Sequence, residues 1–338
     1  MCGLVSRFSL SCILLASVAV VSSATAEVYP FRIGTGGNAG TYFPVGSLIA
    51  EGISGRTVLP HCEGCSSRYL LALAQRSSGS AANVEDIGAG LLEAGLSQAD
   101  VVHWAYHGAG AFSDTPLIDN LRTIATLYFE SLHLVVRAES DINSVKDLIG
   151  KLVSVDEVGS GTQLNVQHVL RAHGIENSEL QTVYLKATDA IDRLRREQLD
   201  AFFIVAGYPV AGVSQLIGDG VGRIVPVDSP ELKILLKEYP FFTVGDIPAD
   251  TYGNEYPVQT LAVPAQLIVN AELSEALVYK ITELLWSPET LKLLSTGHPK
   301  GGEVSFNTAL VGLSAPLHPG AARYYREHDH PHFVGQVE

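Results

Sequence analysis

Apolar residues recur along this chain in two alternating periods, short continuous runs and helical spacings. A run at residues 31–34 predicts a strand, and Val45, Leu48, Ile49 and Ile53 then recur at helical spacing until Ser54-Gly55. Residues 69–74 predict a strand, residues 82–87 a helix with Asn83 near its start, 94–97 a strand and 101–106 a helix. Residues 121–128 and 132–136 read as two strands interrupted by Phe129-Glu130-Ser131. Further strands are expected at 152–155, 184–186, 201–205 and 224–227, with helices through 170, at 190–196 and near 231–237. A long extended run at 258–269 carries Pro264, which marks an edge or a bend, and helices follow at 273–286 and 288–296. Strand-then-helix alternation of this kind implies a mostly parallel sheet.

The first 26 residues stand outside that pattern. Arg7 is followed by an apolar run to Val21 and by Ala24-Thr25-Ala26, a secretory signal with cleavage after Ala26. The run is short for a membrane span, so a periplasmic mature chain with no direct membrane insertion is expected. Without Arg7 the remainder holds 21 basic against 36 acidic side chains, a balance of −15. That charge repels nucleic acid and anionic lipid. Its 312 residues exceed one core and predict two lobes. Of four cysteines, Cys2 and Cys12 leave with the leader; Cys62-Glu63-Gly64-Cys65 remains. Export favours a Cys62–Cys65 disulfide, whose small ring would contribute about 2 kcal/mol. Leu59-Pro60-His61 before it does not supply the helix start that a redox Cys-x-x-Cys needs.

Two glycine-rich loops carry the candidate chemistry. Four glycines fall within residues 34–40, between the first strand and the first helix, and Gly159-Ser160-Gly161-Thr162 repeats the arrangement after the strand at 152–155. Glycine permits positive φ and close backbone approach, and the helix that follows offers unpaired N–H groups and the positive end of its dipole to an anion. Set at the carboxyl ends of strands in two lobes, the loops would form a clamp across a cleft, hinged on crossing strands.

At this point the chain resembles a known family. Gly34-Thr35-Gly36-Gly37 with Gly40-Thr41-Tyr42, Ala82-Asn83-Val84, Gln98-Ala99-Asp100, Leu127-Tyr128-Phe129-Glu130, residues 147–151, residues 159–162, Asp200-Ala201-Phe202-Phe203 and Leu317-His318-Pro319-Gly320-Ala321 occur in order. That ordered set resembles the TAXI family of extracytoplasmic solute receptors, the binding subunits of TRAP transporters. The resemblance implies an α/β, two-lobed periplasmic-binding-protein fold (type II-like). Lobe I would take residues 27–130 and 258–338, and lobe II residues 131–257. It implies binding rather than catalysis, with no cofactor or metal. A small anionic organic solute, a carboxylate such as an amino or keto acid, would pass to the membrane subunits of a TRAP transporter. By match to the family's pocket, ligand contacts come from Thr41, Tyr42, Asn83, Gln98, Asp100, Tyr128, Ser160, Gly161, Thr162 and Phe203.

Competing chemistry has thinner support. Gly34-x-Gly36-x-x-Ala39 fits a dinucleotide fingerprint, but Glu51 lies inside the first predicted helix instead of ending the next strand. His103 and His107 at i and i+4 lack a third metal ligand. The histidines at 328–332 read as a frayed terminus. Ser160 as the nucleophile of an exported hydrolase lacks the Gly-x-Ser-x-Gly elbow. Glu130 and Asp100 stay open as an acid/base pair, and a receptor feeding a membrane sensor is the remaining alternative.

Overall fold

The computed structural model of the chain describes residues 27–55, 58–59 and 68–333; the leader and the Cys62–Cys65 pair lie outside the described residues. The first half runs β1 (Glu27–Gly34), α1 (Tyr42–Ile53), β2 (Val58–Leu59), β3 (Arg68–Gln75), α2 (Ser80–Gly88), β4 (Ala94–Gln98), α3 (Ala99–His107) and β5 (Leu121–Arg137). Then follow β6 (Leu152–Ser154), α4 (Gly161–Ala172), β7 (Gln181–Val183), α5 (Ala187–Arg195), β8 (Ala201–Ala206), α6 (Ala211–Gly218), β9 (Gly222–Val225) and α7 (Leu232–Glu238). The chain returns through β10 (Thr243–Ile247) and β11 (Val258–Asn270) to α8 (Glu275–Leu285), α9 (Pro288–Gly297) and α10 (Pro319–Glu327).

The strands order as β2-β3-β1-β4-β11-β5-β8-β6-β7, with β10 beside β11 and β9 beside β5. Two parallel trios, β3-β1-β4 and β7-β6-β8, therefore flank a central antiparallel pair, β5 and β11. Each trio with its helices is one half of the molecule, and the two long strands run from one half into the other. The sheet is mixed, not mostly parallel, because those two strands and their partners β9 and β10 are antiparallel.

Two expected strands at 121–128 and 132–136 are one strand of 17 residues. Glu130 interrupts the apolar pattern, yet its backbone stays in register, opposite Val263 on β11. Pro264 falls between two partners of β11: β10 pairs up to Ala262 and β4 begins at Ala265, so the missing N–H leaves no gap in either ladder. Residues 184–186 are not a strand; β7 ends at Val183, and the chain turns there into α5.

One core packs Phe31, Ile33, Val45 and Ile49 against β11 and the C-terminal helices, burying Trp286 and Tyr325. Burying one such large apolar side chain contributes about 1.5–3 kcal/mol. Trp286 Nε1 donates to the Tyr325 hydroxyl (3.0 Å), which donates to the Ile124 carbonyl on β5 (3.0 Å). His318 caps α10, its Nδ1 accepting the Gly320 N–H (3.1 Å), while its Nε2 reaches the Leu273 carbonyl (3.0 Å). The motif at 317–321 is thus a docking device for the last helix. The terminus does not fray at His330, which is 4% exposed and meets the Phe306 carbonyl at 2.6 Å. A second core joins both halves, from Val84 and Trp104 to Val153 and Phe203, and Trp104 stacks on His168 of α4 at 4.5 Å.

Candidate ligand cleft

A cavity of about 260 Å³ lies between the halves at the carboxyl ends of β1, β3, β4, β6, β7 and β8. Open α/β sheets bind ligands at such strand ends. Four helices begin on it, through Thr41 and Tyr42 (α1), Gly79 and Ser80 (α2), Ser160 to Thr162 (α4) and Lys186 to Thr188 (α5). Each first turn carries N–H groups without an intrahelical acceptor, so the wall as a whole favours negative charge. Two of these helix starts were legible as glycine loops; those of α2 and α5 were not.

Local chemistry holds each start in place. Ser160 caps α4, its Oγ accepting from the Gln163 N–H (3.1 Å). Removing the cap in Ser160→Ala should lower thermal stability by about 1 kcal/mol even without ligand, measurable by denaturant unfolding. Thr162 Oγ1 accepts from the Val205 N–H (3.0 Å), tying α4 to β8. The second loop has left-handed backbone at Asp156 (φ 72°) and Gly159 (φ 88°). No glycine of the first loop has positive φ, so their expected left-handed role gives way to space. A Cβ on Gly34 would strike the Asn83 side chain (2.5 Å from Oδ1). A Cβ on Gly161 would strike Gln98 across the seam.

Six of the ten expected contacts line the cavity: Thr41, Tyr42, Gln98, Ser160, Gly161 and Thr162. The other four do not. Asn83 is fully buried and donates through Nδ2 to the Thr35 and Leu96 carbonyls (both 2.7 Å), so it braces the first loop from behind. Tyr128 and Phe203 are 2% and 1% exposed in the two cores. Asp100 is fully buried beside Asn165. On β5 and β8 the lining residues are instead Glu130, Ile204 and Val205, and Glu130 and Val205 each lie two positions along the same strand face. His103 and His107 meet as tilted rings (4.5 Å between centroids), as do His103 and Phe241 (5.4 Å), and neither histidine lines the cavity.

Charged residues that the loop motifs did not indicate complete the wall. Exposed Arg76 and Lys186 are its cations; Arg76 also stacks on Phe43, 4.6 Å from the ring centroid. Glu130, Asp156 and Glu157 are its acids. Burial pushes Asp156 up to about 6 against hydrogen bonds from the Glu157 N–H and the Thr162 and Ser160 hydroxyls.

The halves touch across this cleft through specific hydrogen bonds. Thr41 Oγ1 accepts from the Gly207 N–H (2.8 Å) and donates to the Gly207 carbonyl (3.1 Å). Asn165 of α4 donates to Asp100 (2.6 Å) and lies 3.1 Å from Gln98 Oε1. The Ala82 N–H donates to the Gly159 carbonyl (3.2 Å), and Ser78 Oγ donates to Glu157 (3.2 Å).

Residues 33–328 match the NMT1-like family. The chain belongs to the NMT1-like family. Solved structures with a similar fold include a periplasmic transporter, 13% identical over 88% of this chain and 92% of that one (TM-score 0.51). A protein from Bordetella bronchiseptica RB50 is 16% identical over 90% and 99% (TM-score 0.50). The alkanesulfonate-binding protein SsuA from Xanthomonas axonopodis pv. citri, bound to MOPS, is 14% identical over 92% and 96% at a TM-score of 0.45. The two-lobed α/β architecture of periplasmic binding proteins is therefore the fold of this NMT1-like chain. No helix among its described residues is long and apolar enough to cross a membrane.

Proposed function

We propose that this NMT1-like chain is an exported periplasmic receptor that closes its two halves on a small organic anion, a carboxylate, and hands it to the membrane subunits of a TRAP-type transporter. The observation that carries this reading is the convergence of four helix N-termini on one cavity between the halves. Arg76 and Lys186 add positive charge at the mouth beside the N–H groups of the helix starts. Binding without turnover also suits the lining: no histidine among the described residues is part of it, and Ser160 Oγ is engaged as a helix cap. The ordered TAXI-like motifs support the TRAP assignment.

A thermal-shift screen of residues 27–338 against keto acids, amino acids, sulfonates and phosphate tests the proposal. A carboxylate present at about 100 times its Kd should add about 2.7 kcal/mol of stability. A shift with sulfonate or phosphate alone would overturn the carboxylate and leave a receptor. Consumption of the solute would overturn the receptor in favour of an enzyme.

A further inference from the structure

Behind the cleft, the seam between the halves holds four buried polar side chains from three sources. Gln98 and Asp100 come from the β4–α3 corner, Glu130 from the middle of β5 and Asn165 from α4 of the opposite half; none is more than 2% exposed. Asn165 Nδ2 has two hydrogens and three acceptors in reach: Asp100 Oδ2 (2.6 Å), the Gly161 carbonyl (3.0 Å) and Gln98 Oε1 (3.1 Å). Asp100 Oδ1, Glu130 Oε2 and Asn165 Oδ1 are also buried and have no hydrogen-bond partner. The cluster is rich in acceptors and poor in donors. Two carboxylates that sense each other's charge in a buried site do not both remain ionised.

We propose that the closed seam is a proton site: closure takes up protons on Glu130 and Asp100, so that Glu130 meets the solute as a neutral, hydrogen-bond-donating acid. This rests on the reading that the halves open and close, and it would let an acid in the wall coexist with an anionic solute. Tyr42 from α1, the Gln98 amide and Lys300 favour ionised Glu130, whereas burial and Asp100 oppose it. Lys300 is itself engaged, with Nζ 2.7 Å from Glu303 and 3.6 Å from the Tyr208 ring centroid. The neighbouring Tyr128, and His133 beyond Lys300, are buried and uncharged near neutrality, burial raising the first and lowering the second. Around Asp100, the Val101 N–H and Asn165 favour the ionised form and burial opposes it. The outcome pushes Glu130 up to about 8 and Asp100 up to about 7.

Opening the halves returns the pair to water and toward the ordinary carboxylate range near 4. Protons therefore favour the closed form. Each proton taken up makes the closed-to-open ratio fall about tenfold per pH unit above roughly pH 4, two protons up to the raised Asp100 value and one from there to that of Glu130, and the ratio levels off above both.

The test needs no solute. A Cβ on Gly159 would lie 3.7 Å from that of Ala82 across the seam, a spacing that suits a disulfide. Ala82→Cys with Gly159→Cys should therefore lock residues 27–338 closed when oxidised. Near pH 7.5, between the two raised values, potentiometric titration should find about one more bound proton on the oxidised chain than on the reduced one. Glu130→Gln with Asp100→Asn in the same background should abolish that excess. No excess, or an equal excess in the Gln/Asn variant, overturns the proton site. Ser78→Cys with Gly159→Cys (3.4 Å) is the second cross-link; both place cysteine on left-handed backbone at 159, so each reduced variant is first shown to keep the parent unfolding midpoint, and failure of such folded chains to cross-link overturns the closed seam itself. A failed carboxylate screen alongside a positive titration would refute the solute class and leave the proton site standing.

Discussion

Thr41→Val is expected to weaken solute binding roughly 5- to 150-fold while leaving the folded halves almost unchanged in stability. Valine keeps the volume of threonine and removes one oxygen. That oxygen both accepts from the Gly207 N–H and donates to the Gly207 carbonyl, at a position 3% exposed. In the open form Gly207 can satisfy both groups with water. In the closed form of the variant it cannot, and a buried unsatisfied polar group costs about 1–3 kcal/mol. The penalty falls on closure alone, so it appears in affinity and not in the unfolding free energy. Calorimetry with the solute found by the screen reads the first, and hydrogen exchange at Gly207 should become faster. Unchanged affinity would remove Thr41 from the closing contacts.

The second large effect separates core from site. Phe203→Ala should cost about 3–5 kcal/mol of stability, read as a lower denaturant midpoint at nearly unchanged slope. The ring is 1% exposed and packs among Leu134, Val136, Val153 and Val169. Its neighbour two positions on, Val205, reaches the cavity, as does Ile204. A variant that kept its stability and lost only affinity would return Phe203 to the binding site.

Phe203 and Tyr128 show why a family motif indicates a site only to within a pleat. On a strand, positions i and i+2 share a face, so Tyr128 with Glu130, and Phe203 with Val205, point the same way at different depths. Nothing in either motif says where the cavity floor stops. Tyr128 and Phe203 each lie one pleat inside their own half, while Glu130 and Val205 lie at the seam. The remaining misses are of another kind. Asn83 and Asp100 carry polar groups that a sequence cannot distinguish from ligand contacts. Their partners, the Thr35 and Leu96 carbonyls in one case and Asn165 in the other, lie up to 65 positions away along the chain. Arg76 and Lys186 sit outside any glycine loop and reach the cavity only because β3 and β7 end beside it.

The sequence by itself determined the local units: glycine loops between strand and helix, helical spacing over α1 and α4, and an ordered motif set compatible with two halves. Those depend on residues near one another in the chain, through backbone sterics and periodicity. Only the tertiary structure decided that β5 is one strand through Glu130, that four helix starts and not two share a cavity, and that Asp100, Glu130 and Asn165 meet at the seam. Such outcomes depend on burial and on hydrogen bonds between distant segments, and no local pattern records how much water remains around a side chain.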